Sequence, residues 1–398
     1  MPPKITALHI KFLHNIVPAS IKKPFSLVHQ WLCLDVYFFS SPDNVSEKLH
    51  CAFLGMNGGR ARCWGKRVCG DDAIETTGEK IWIWQLESYL AKHKPECQLV
   101  MIETSKLGEI FLRNKDGFKL PMWIQLALDS TKTLKELNKA SYRLEGEIPR
   151  LIRKNKLGHE LSTNHDELDV FIDQMHLPFI SGRHGDSAFY SSRQDIHKVF
   201  EQSELIYITQ EGNRIAGVML HAENGMATLR FSGVKDARPE YYRSGSVACF
   251  YYFGLLRAME KGMSCFNFGG SSPFLTDNIT YFKLSFKPYV MENTHLADHF
   301  IKMMFRKQDL ALTRFLQTHP FIAMSEEKKF ERHVFANAAF IETADQFDEL
   351  FKKIQCDNLA STVVHVQGDL ERVANIASQS AQSRTPLVCE KWDLSQID

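Results

Sequence analysis

Short apolar runs separated by turn residues dominate the chain from about residue 30 to 127. The runs are WLCLDVYFF, HCAFLG, IWIWQL, QLVMIET, EIFLR and MWIQLALD. Runs of this length, rich in β-branched and aromatic residues, predict a strand-rich segment. Asp116-Gly117, between EIFLRNK and FKLPMWIQ, is typical of a hairpin turn.

The spacing of apolar residues becomes helical after Asp129. Helices are predicted up to His159, with an interruption at Pro149 where a second short helix begins. The segment DELDVFIDQMHLPF predicts an amphipathic helix that Pro178 stops, and residues 191–203 predict another.

The clearest local pattern follows. ELIYITQ, RIAGVMLHA and MATLRFSGV are three apolar runs joined by tight turns at Glu211-Gly212-Asn213 and Glu223-Asn224-Gly225, which predicts an antiparallel meander. A helix over Gly245 to Lys261 and a short buried strand at Cys265 to Phe268 come next. The order β-β-β-α-β predicts an α+β protein, in which an antiparallel sheet is joined to one parallel crossing, and excludes a doubly wound dinucleotide fold.

Beyond about Tyr289 the pattern predicts a mostly helical region. HLADHFIKMMFRK and QDLALTRFLQTHPF are the predicted helices, followed by a shorter α/β tail with HVFANAAFIE, DQFDELFKKI and TVVHVQ. We therefore expect three segments: a strand-rich domain at 1–127, a core at 128–290 and an extension at 291–398.

Composition narrows the class of protein. The 398 residues carry 48 Lys and Arg against 47 Asp and Glu, and 44% are hydrophobic, which indicates folded domains and excludes a generic nucleic-acid binder. The nine cysteines form no CxxC pair, so we expect reduced thiols, no metal site and a cytoplasmic location. No apolar run reaches about 18 residues, so we expect no membrane span.

One passage carries a family resemblance: FGLLRAMEKGMSCFNFGGSSPFLTDNITYFKLSFKPY. It combines a helix ending in Gly, a strand ending in Gly-Gly-Ser, a Pro-Phe pair, an Asp and a Phe-Lys pair before a further aromatic residue. Together with RLIRKNKLGHEL and the meander end RFSGVKD, it makes residues 120–290 resemble the FemAB-type acyltransferases of the GNAT fold, including relatives in cellulose and exopolysaccharide biosynthesis. A looser resemblance reaches upstream to about residue 30.

The resemblance implies a mixed, mostly antiparallel sheet flanked by helices, with a degenerate N-terminal GNAT-like half and a helical or α+β C-terminal extension. It also implies that the sheet splays between MATLRFSGV and CFNFG, which exposes backbone amides to an acyl group. The substrate-binding residues expected at this splay are Asn267, Gly269, Gly270 and Ser271.

Two catalytic candidates follow the Gly-Gly pair. Lys283 lies among aromatic residues, where a desolvated ammonium could bind an oxyanion or phosphate, or transfer a proton. A surface lysine whose stem covers aromatic rings is the alternative. Asp277 is either the N-cap of the next helix or a group that orients the acceptor amine.

The remaining candidates precede the long helix. His184 is a candidate general base or a solvated loop histidine, and Arg183 beside it is a candidate clamp for an anionic group. Tyr242 is a third candidate for handling the acceptor proton.

Arg243, Gly245 and Ser246 stand where ordinary GNAT enzymes carry Gln/Arg-x-x-Gly-x-Gly/Ala for the pyrophosphate of coenzyme A. The departure from that pattern leaves two donors open, acyl-CoA (acetyl-CoA among them) and aminoacyl-tRNA.

The expected function is transfer of an acyl or aminoacyl group to an amine or hydroxyl of a small-molecule, peptide or glycan-precursor acceptor. The alternative is a catalytically inactive module that binds a glycan precursor or a partner protein. The basic helices at 132–156 are either a solvated surface or a means of holding tRNA.

Overall fold

The computed structural model describes residues 32–42, 47–55, 58–112, 117–185, 191–291, 299–307, 309–380 and 385–392. The strands, in chain order, are β1 (Cys33–Ser40), β2 (His50–Gly55), β3 (Ile74–Thr77), β4 (Ile81–Trp82), β5 (Leu99–Ser105), β6 (Phe118–Pro121), β7 (Ile124–Asp129), β8 (Leu157–Ser162), β9 (Ser203–Gln210), β10 (Asn213–Glu223), β11 (Met226–Val234), β12 (Cys265–Ser271), β13 (Tyr289–Val290), β14 (His299–Phe305), β15 (Phe321–Met324), β16 (Phe330–Asn337), β17 (Ser361–Gln367) and β18 (Leu387–Lys391). The α-helices are α1 (Gly58–Cys69), α2 (Leu86–His93), α3 (Lys106–Glu109), α4 (Leu134–Ala140), α5 (Ile148–Asn155), α6 (His165–Phe171), α7 (Leu177–His184), α8 (Arg193–Phe200), α9 (Pro239–Arg243), α10 (Ser246–Glu260), α11 (Asn278–Leu284), α12 (Leu310–Thr318), α13 (Ala344–Glu349) and α14 (Leu370–Ser378).

The chain forms two compact units, residues 1–118 with 298–309 and residues 119–297 with 310–398. In the first unit the strand order is β14-β5-β2-β1-β3, with β4 also beside β1. Only β2 and β5 run parallel in this part of the sheet, both being fully described. Helix α1 lies so close to the sheet that a Cβ atom at Gly65 would come within 2.3 Å of the Phe39 ring.

The helix predicted in HLADHFIKMMFRK is wrong. Residues His299–Phe305 form β14, which pairs antiparallel with β5 along its whole length. All but the first of its residues are buried, and the polar head of Lys302 is 3.3 Å from Glu109. A strand buried on both faces shows no alternation of polar and apolar residues, so its pattern does not distinguish it from a buried helix.

Two predicted strands in the first unit are also wrong over most of their length. The run EIFLR begins in α3, which Ser105 caps by accepting a hydrogen bond from the Gly108 N–H, and its described part ends in a turn. In IWIWQL only β4 is extended, because the side-chain oxygen of Gln85 accepts a hydrogen bond from the Trp82 N–H and a helical turn starts there. Asp116, in the predicted hairpin turn, lies outside the described residues.

Two prolines lie inside continuous helical segments. A π-helical turn, Arg143–Glu147, leads directly into α5, with Pro149 as the second residue of that helix. A second one, Ile172–His176, joins α6 to α7, with Pro178 in its first turn. Proline has no N–H and its ring collides with the carbonyl four residues earlier, so the wider π turn relieves the conflict. The prediction that Pro178 stops the helix is therefore wrong.

The second unit contains a seven-stranded sheet of order β13-β7-β12-β11-β10-β9-β8. The predicted meander is confirmed as β9, β10 and β11, whose turns place Glu211, Gly212, Asn224 and Gly225 at positive φ. Helix α10 then carries the chain across to β12, which runs parallel to β11 and antiparallel to β7. The predicted α+β class, with a mixed and mostly antiparallel sheet flanked by helices, is confirmed.

The C-terminal part of the second unit is α/β, as its tail was predicted to be. Strands β16, β17 and β18 are parallel, and β15 joins β16 antiparallel. Part of their buried residues, among them Val334, Ala336, Val364 and Val366, belong to the same hydrophobic cluster as residues of the seven-stranded sheet. Among the helices that the structure describes, none has the length and apolar character needed to cross a bilayer.

Candidate functional site

Strands β11 and β12 separate part-way along their length. Their parallel pairing joins Met226–Thr228 to Cys265–Asn267 and ends there, although β11 continues to Val234. Gly269 stands at the point of separation with φ +75°, and a Cβ atom there would come within 2.7 Å of the Leu229 carbonyl oxygen. The rest of β11 therefore has no ladder partner in β12, both strands being fully described.

An antiparallel meander, a helical crossover and a parallel neighbour that splays away are the arrangement of the GNAT fold. The core of this chain has a GNAT-like fold. The splay expected between MATLRFSGV and CFNFG is thus present. Alternate N–H groups along the separated edge of β11 point toward β12 and can hydrogen-bond a carbonyl oxygen held there.

Asn267 holds the end of β12 in place at Gly269-Gly270, which we call the Gly-Gly exit. Its side-chain oxygen accepts a hydrogen bond from the Gly269 N–H at 2.9 Å, and its amide nitrogen donates to Gln125 Oε1 on β7 at 3.1 Å. The register between β12 and β7 shifts between Asn267 and Gly270. Asn267 is buried, so the structure shows it shaping the strand end from within.

Lys283 lies under the same Gly-Gly exit. Its Nζ donates hydrogen bonds to the carbonyl oxygens of Gly269 (3.2 Å) and Gly270 (2.9 Å) and to Ser271 Oγ (3.1 Å). The side chain is 3% exposed, and this burial lowers the pKa of Lys283 to about 7, which Asp277 opposes and Arg183 reinforces. The Lys283 ammonium is thus desolvated, which fits the interpretation of a buried lysine and not that of a surface lysine.

Asp277 is the N-cap of α11. Its carboxylate accepts hydrogen bonds from the N–H groups of Ile279 (3.1 Å) and Thr280 (3.3 Å). Thr280 in turn donates from its hydroxyl to the Ser272 carbonyl at 3.0 Å. The capping alternative for Asp277 is therefore observed, and it fixes the helix that carries Lys283.

A pocket of about 650 Å³ opens beside the start of α10, and we call it the α10 pocket. Its lining residues include Arg183, Tyr242, Arg243, Val247, Tyr251 and Phe282. They come from α7, α9, α10 and α11. Three sequence candidates thus meet in one cavity, although Arg183 and Arg243 are sixty residues apart in the chain.

The α10 pocket is electropositive and partly aromatic. Arg183 and Arg243 line it, and no acidic side chain does so among the described residues. The rings of Tyr242 and Phe179 stack with their centres 5.6 Å apart, and the Arg183 guanidinium lies 5.8 Å from the centre of the Phe179 ring. Burial raises the pKa of Tyr242, and the charge of Arg183 opposes that rise. This wall suits an anionic ligand.

The first turn of α10 starts at Gly245, which has φ +95° and packs against Leu151. Among the residues that the structure describes, no side chain caps this helix or accepts from its first N–H groups. The Ser246 hydroxyl is buried and donates to the Tyr241 carbonyl at 2.7 Å. Arg243, Gly245 and Ser246 therefore contribute a guanidinium and helix amides, and the serine hydroxyl is used within the fold.

His184 ends α7, directly after Arg183. Its side chain and residues 186–190 lie outside the part of the chain that the structure describes. The role of His184 stays a prediction.

The structure adds Tyr251, on α10, to the candidates. Its ring contacts Phe268 and Phe282, and burial raises the pKa of its hydroxyl to about 12. Tyr251 follows Val247 by one helical turn, and both line the α10 pocket. That spacing was visible in the sequence, but nothing in it separated a pocket wall from a core.

Comparison with known proteins gives structural neighbours only. No family model and no curated protein matches the chain. Similar solved structures include FemX, with 12% identity, coverage of 67% of this chain and 83% of that one, and a TM-score of 0.37. The C-terminal domain of a putative lysylphosphatidylglycerol synthetase from Agrobacterium fabrum has 12% identity, coverage of 72% and 88%, and a TM-score of 0.31. A GCN5-related N-acetyltransferase from Kribbella flavida has 12% identity, coverage of 66% and 83%, and a TM-score of 0.24.

Proposed function

We propose that the chain is an acyltransferase that moves an acyl or aminoacyl group from an activated donor to an amine or hydroxyl of a small-molecule, peptide or glycan-precursor acceptor. The observation that carries the proposal is the position of the α10 pocket, whose wall residue Phe282 immediately precedes Lys283 beneath the splayed strands. A lysine of lowered pKa and a cavity lined by two arginines thus share helix α11.

The donor's anionic part would lie in the α10 pocket. Arg183 and Arg243 line it, and the uncapped start of α10 adds N–H groups and the positive end of the helix dipole. The phosphates of an acyl-CoA and those at the acceptor end of an aminoacyl-tRNA share this chemistry. The exposed basic residues Arg150, Arg153 and Lys154 of α5 are available to hold the larger donor.

The donor carbonyl would lie at the splay. Edge N–H groups of β11 beyond Leu229 would stabilise the oxyanion that forms when the acceptor nitrogen or oxygen attacks the carbonyl carbon. The bond from that carbon to the sulfur or oxygen of the donor then breaks, and the donor leaves as a thiolate or alkoxide.

Lys283 would take the acceptor's proton. A pKa of about 7 leaves a substantial neutral fraction at neutral pH. The neutral amine keeps two N–H donors for the carbonyls of Gly269 and Gly270, and its lone pair can accept from the Ser271 hydroxyl. Both protonation states are therefore fully hydrogen-bonded, and a proton can pass between Ser271 and Lys283 without loss of a bond.

The test is donor binding to the full-length protein by calorimetry, with acetyl-CoA, a long-chain acyl-CoA and an aminoacyl-tRNA compared. We expect one of them to bind saturably near micromolar Kd, about −8 kcal/mol, and Arg243→Gln to weaken it about tenfold or more. Arg150→Gln, an equal change of charge outside the pocket, is the control for acyl-CoA. No binding of any donor, or equal binding to all variants, would argue against the proposed donor site.

A second candidate is a binding module without catalysis. The hydrogen bonds of Lys283 favour this candidate, because the protein itself supplies an acceptor for each of the three N–H groups of the lysine. In that case the same calorimetry would show a ligand in the α10 pocket, and mixing donor with candidate acceptors would release no thiol or deacylated tRNA.

A further inference from the structure

A second cavity, of about 550 Å³, lies in the second unit, where residues 128–140 and 286–289 meet Arg332, residues 355–357 and Thr385. We call it the Arg332 pocket. Its lining includes the buried Arg332 and Cys356, the partly exposed Lys287, and the exposed Asp357, Lys132 and Lys139. It adjoins Asp129, which pairs with Cys265 at the start of β12, whereas the Gly-Gly exit ends that strand. The two cavities are thus at opposite ends of β12.

Arg332 is the notable group. Its side chain is 5% exposed, and its guanidinium donates to Thr362 Oγ1 through Nε (3.2 Å) and Nη2 (2.9 Å) and to the Ile354 carbonyl through Nη1 (3.0 Å). The Phe351 ring lies 5.2 Å from it. A guanidinium has five N–H groups, so two have no acceptor among the described residues. Three hydrogen bonds therefore hold the guanidinium in place, and two of its N–H groups remain for a ligand.

Arg332 also has no ion-pair partner among the described residues, since no carboxylate there comes within 4.0 Å of its nitrogens. Asp357 acts on its charge only at longer range. Burial raises the pKa of Cys356 to about 11, so that thiol is neutral. A buried cation normally has a counter-ion, because its desolvation is costly.

Lys287 supplies a second cation at the same wall. Its Nζ donates to Gln355 Oε1 at 2.8 Å, which leaves two of its three N–H groups. Burial lowers the pKa of Lys287, and Asp357 opposes that change. The acids Asp129 and Glu136 also line the cavity, but each carboxylate accepts from a neighbouring threonine and neither pairs with Lys287.

We propose that the Arg332 pocket binds a compact organic oxyanion, a carboxylate or phosphate ester, between Arg332 and Lys287. The two remaining guanidinium N–H groups match the two oxygens of such an anion. Phe286 and Tyr289, which also line the cavity, provide an apolar wall for the organic part. This site does not depend on the proposed acyl transfer, since it shares no residue with the α10 pocket.

The test is calorimetric titration of the full-length protein with inorganic phosphate and, separately, with succinate. We expect saturable binding of one of the two at one site, weakened at least tenfold by Lys287→Gln and by Arg332→Gln. Lys352→Gln is the matched control, because this exposed lysine of the same region lies outside the cavity and makes an equal change of charge.

Arg243→Gln separates this site from the α10 pocket. Loss of binding in Arg243→Gln with full binding in Lys287→Gln would overturn the proposal, as would no saturable binding of either anion. If Arg332→Gln fails to fold because Thr362 and Ile354 lose their partner, Lys287→Gln decides the outcome alone. Succinate binding without phosphate binding would assign carboxylates, and the reverse would assign phosphate esters.

Discussion

The Nζ atom of Lys283 lies 3.1 Å from the hydroxyl oxygen of Ser271, at the point where β12 leaves β11. The same nitrogen holds the Gly269 and Gly270 carbonyls, so one side chain links the chemistry of the site to the shape of the strand end. Removing it therefore tests both functions together.

We expect Lys283→Met to lower turnover about a hundredfold or more, the scale of losing one well-placed polar group in an active site. It also removes the two hydrogen bonds to the partly buried carbonyls of Gly269 and Gly270, at about 1–3 kcal/mol of unfolding free energy. Steady-state rates and urea unfolding measure the two effects. Ser271→Ala keeps the lysine and both carbonyl bonds, so it separates proton transfer from positioning. Near-normal turnover by folded Lys283→Met would remove Lys283 from the mechanism.

The buried lysine also predicts a pH dependence of stability. The pKa of Lys283 is lowered from 10.5 to about 7, so between these values the unfolded chain binds more protons than the folded one. The free energy of unfolding therefore rises with pH across this window, by at most about 1.4 kcal/mol per pH unit, and this gain is lost as pH falls toward 7.

The measurement is urea unfolding of wild type and Lys283→Met at several pH values. The stability of wild type relative to the variant should increase from pH 7 to pH 10. Parallel curves for the two proteins would show that Lys283 titrates normally.

The separation of β11 and β12 depends on Gly269. In Gly269→Ala the new Cβ atom would lie 2.7 Å from the Leu229 carbonyl oxygen at φ +75°, so backbone must move. We expect a loss of about 2 kcal/mol or more of unfolding free energy and loss of donor binding. Gly262→Ala is the control, because it has φ +67° with nothing within 4 Å, and should cost only about 1 kcal/mol. Equal effects of the two substitutions would contradict a close approach at Gly269.

A histidine pair predicts sensitivity to acid. His333 Nδ1 and His365 Nε2 are 3.0 Å apart on neighbouring strands, and burial lowers their pKa values from 6.5 to about 3 and about 4. As the pH falls, both rings bind a proton in the unfolded chain before they do so in the folded protein. The stability present above pH 6.5 is therefore lost as the pH falls through 4. We expect the double variant His333→Phe/His365→Phe to lose less stability than wild type between pH 6.5 and 4, measured by chemical unfolding. An unchanged acid slope would show that this pair does not set it.

Local features were predictable because their causes are local. The turns at Gly212 and Gly225 need positive φ, which glycine supplies, so the meander whose strands they join could be predicted. Helix α10 was predicted from apolar spacing, with a glycine just beyond its end. The resemblance in the Gly-Gly-Ser to Phe-Lys passage singled out Lys283, Gly269 and Gly270, and the structure brings the Lys283 ammonium to the carbonyls of both glycines.

The tertiary structure decided what depends on distant partners. Strand β14 exists because β5 pairs with it, although almost two hundred residues separate them. Pro178 stays within a helical segment because a π turn precedes it.

The sequence alone determined the α+β class, the meander, the crossover helix and the residues at the Gly-Gly exit, since propensity and turn chemistry act between near neighbours. It did not determine that Arg183 and Arg243 share a cavity, that Asp277 caps a helix, or that Arg332 is buried with no carboxylate of the described residues paired to it. Those outcomes depend on burial and on contacts between segments far apart in the chain, and only the folded molecule brings them together.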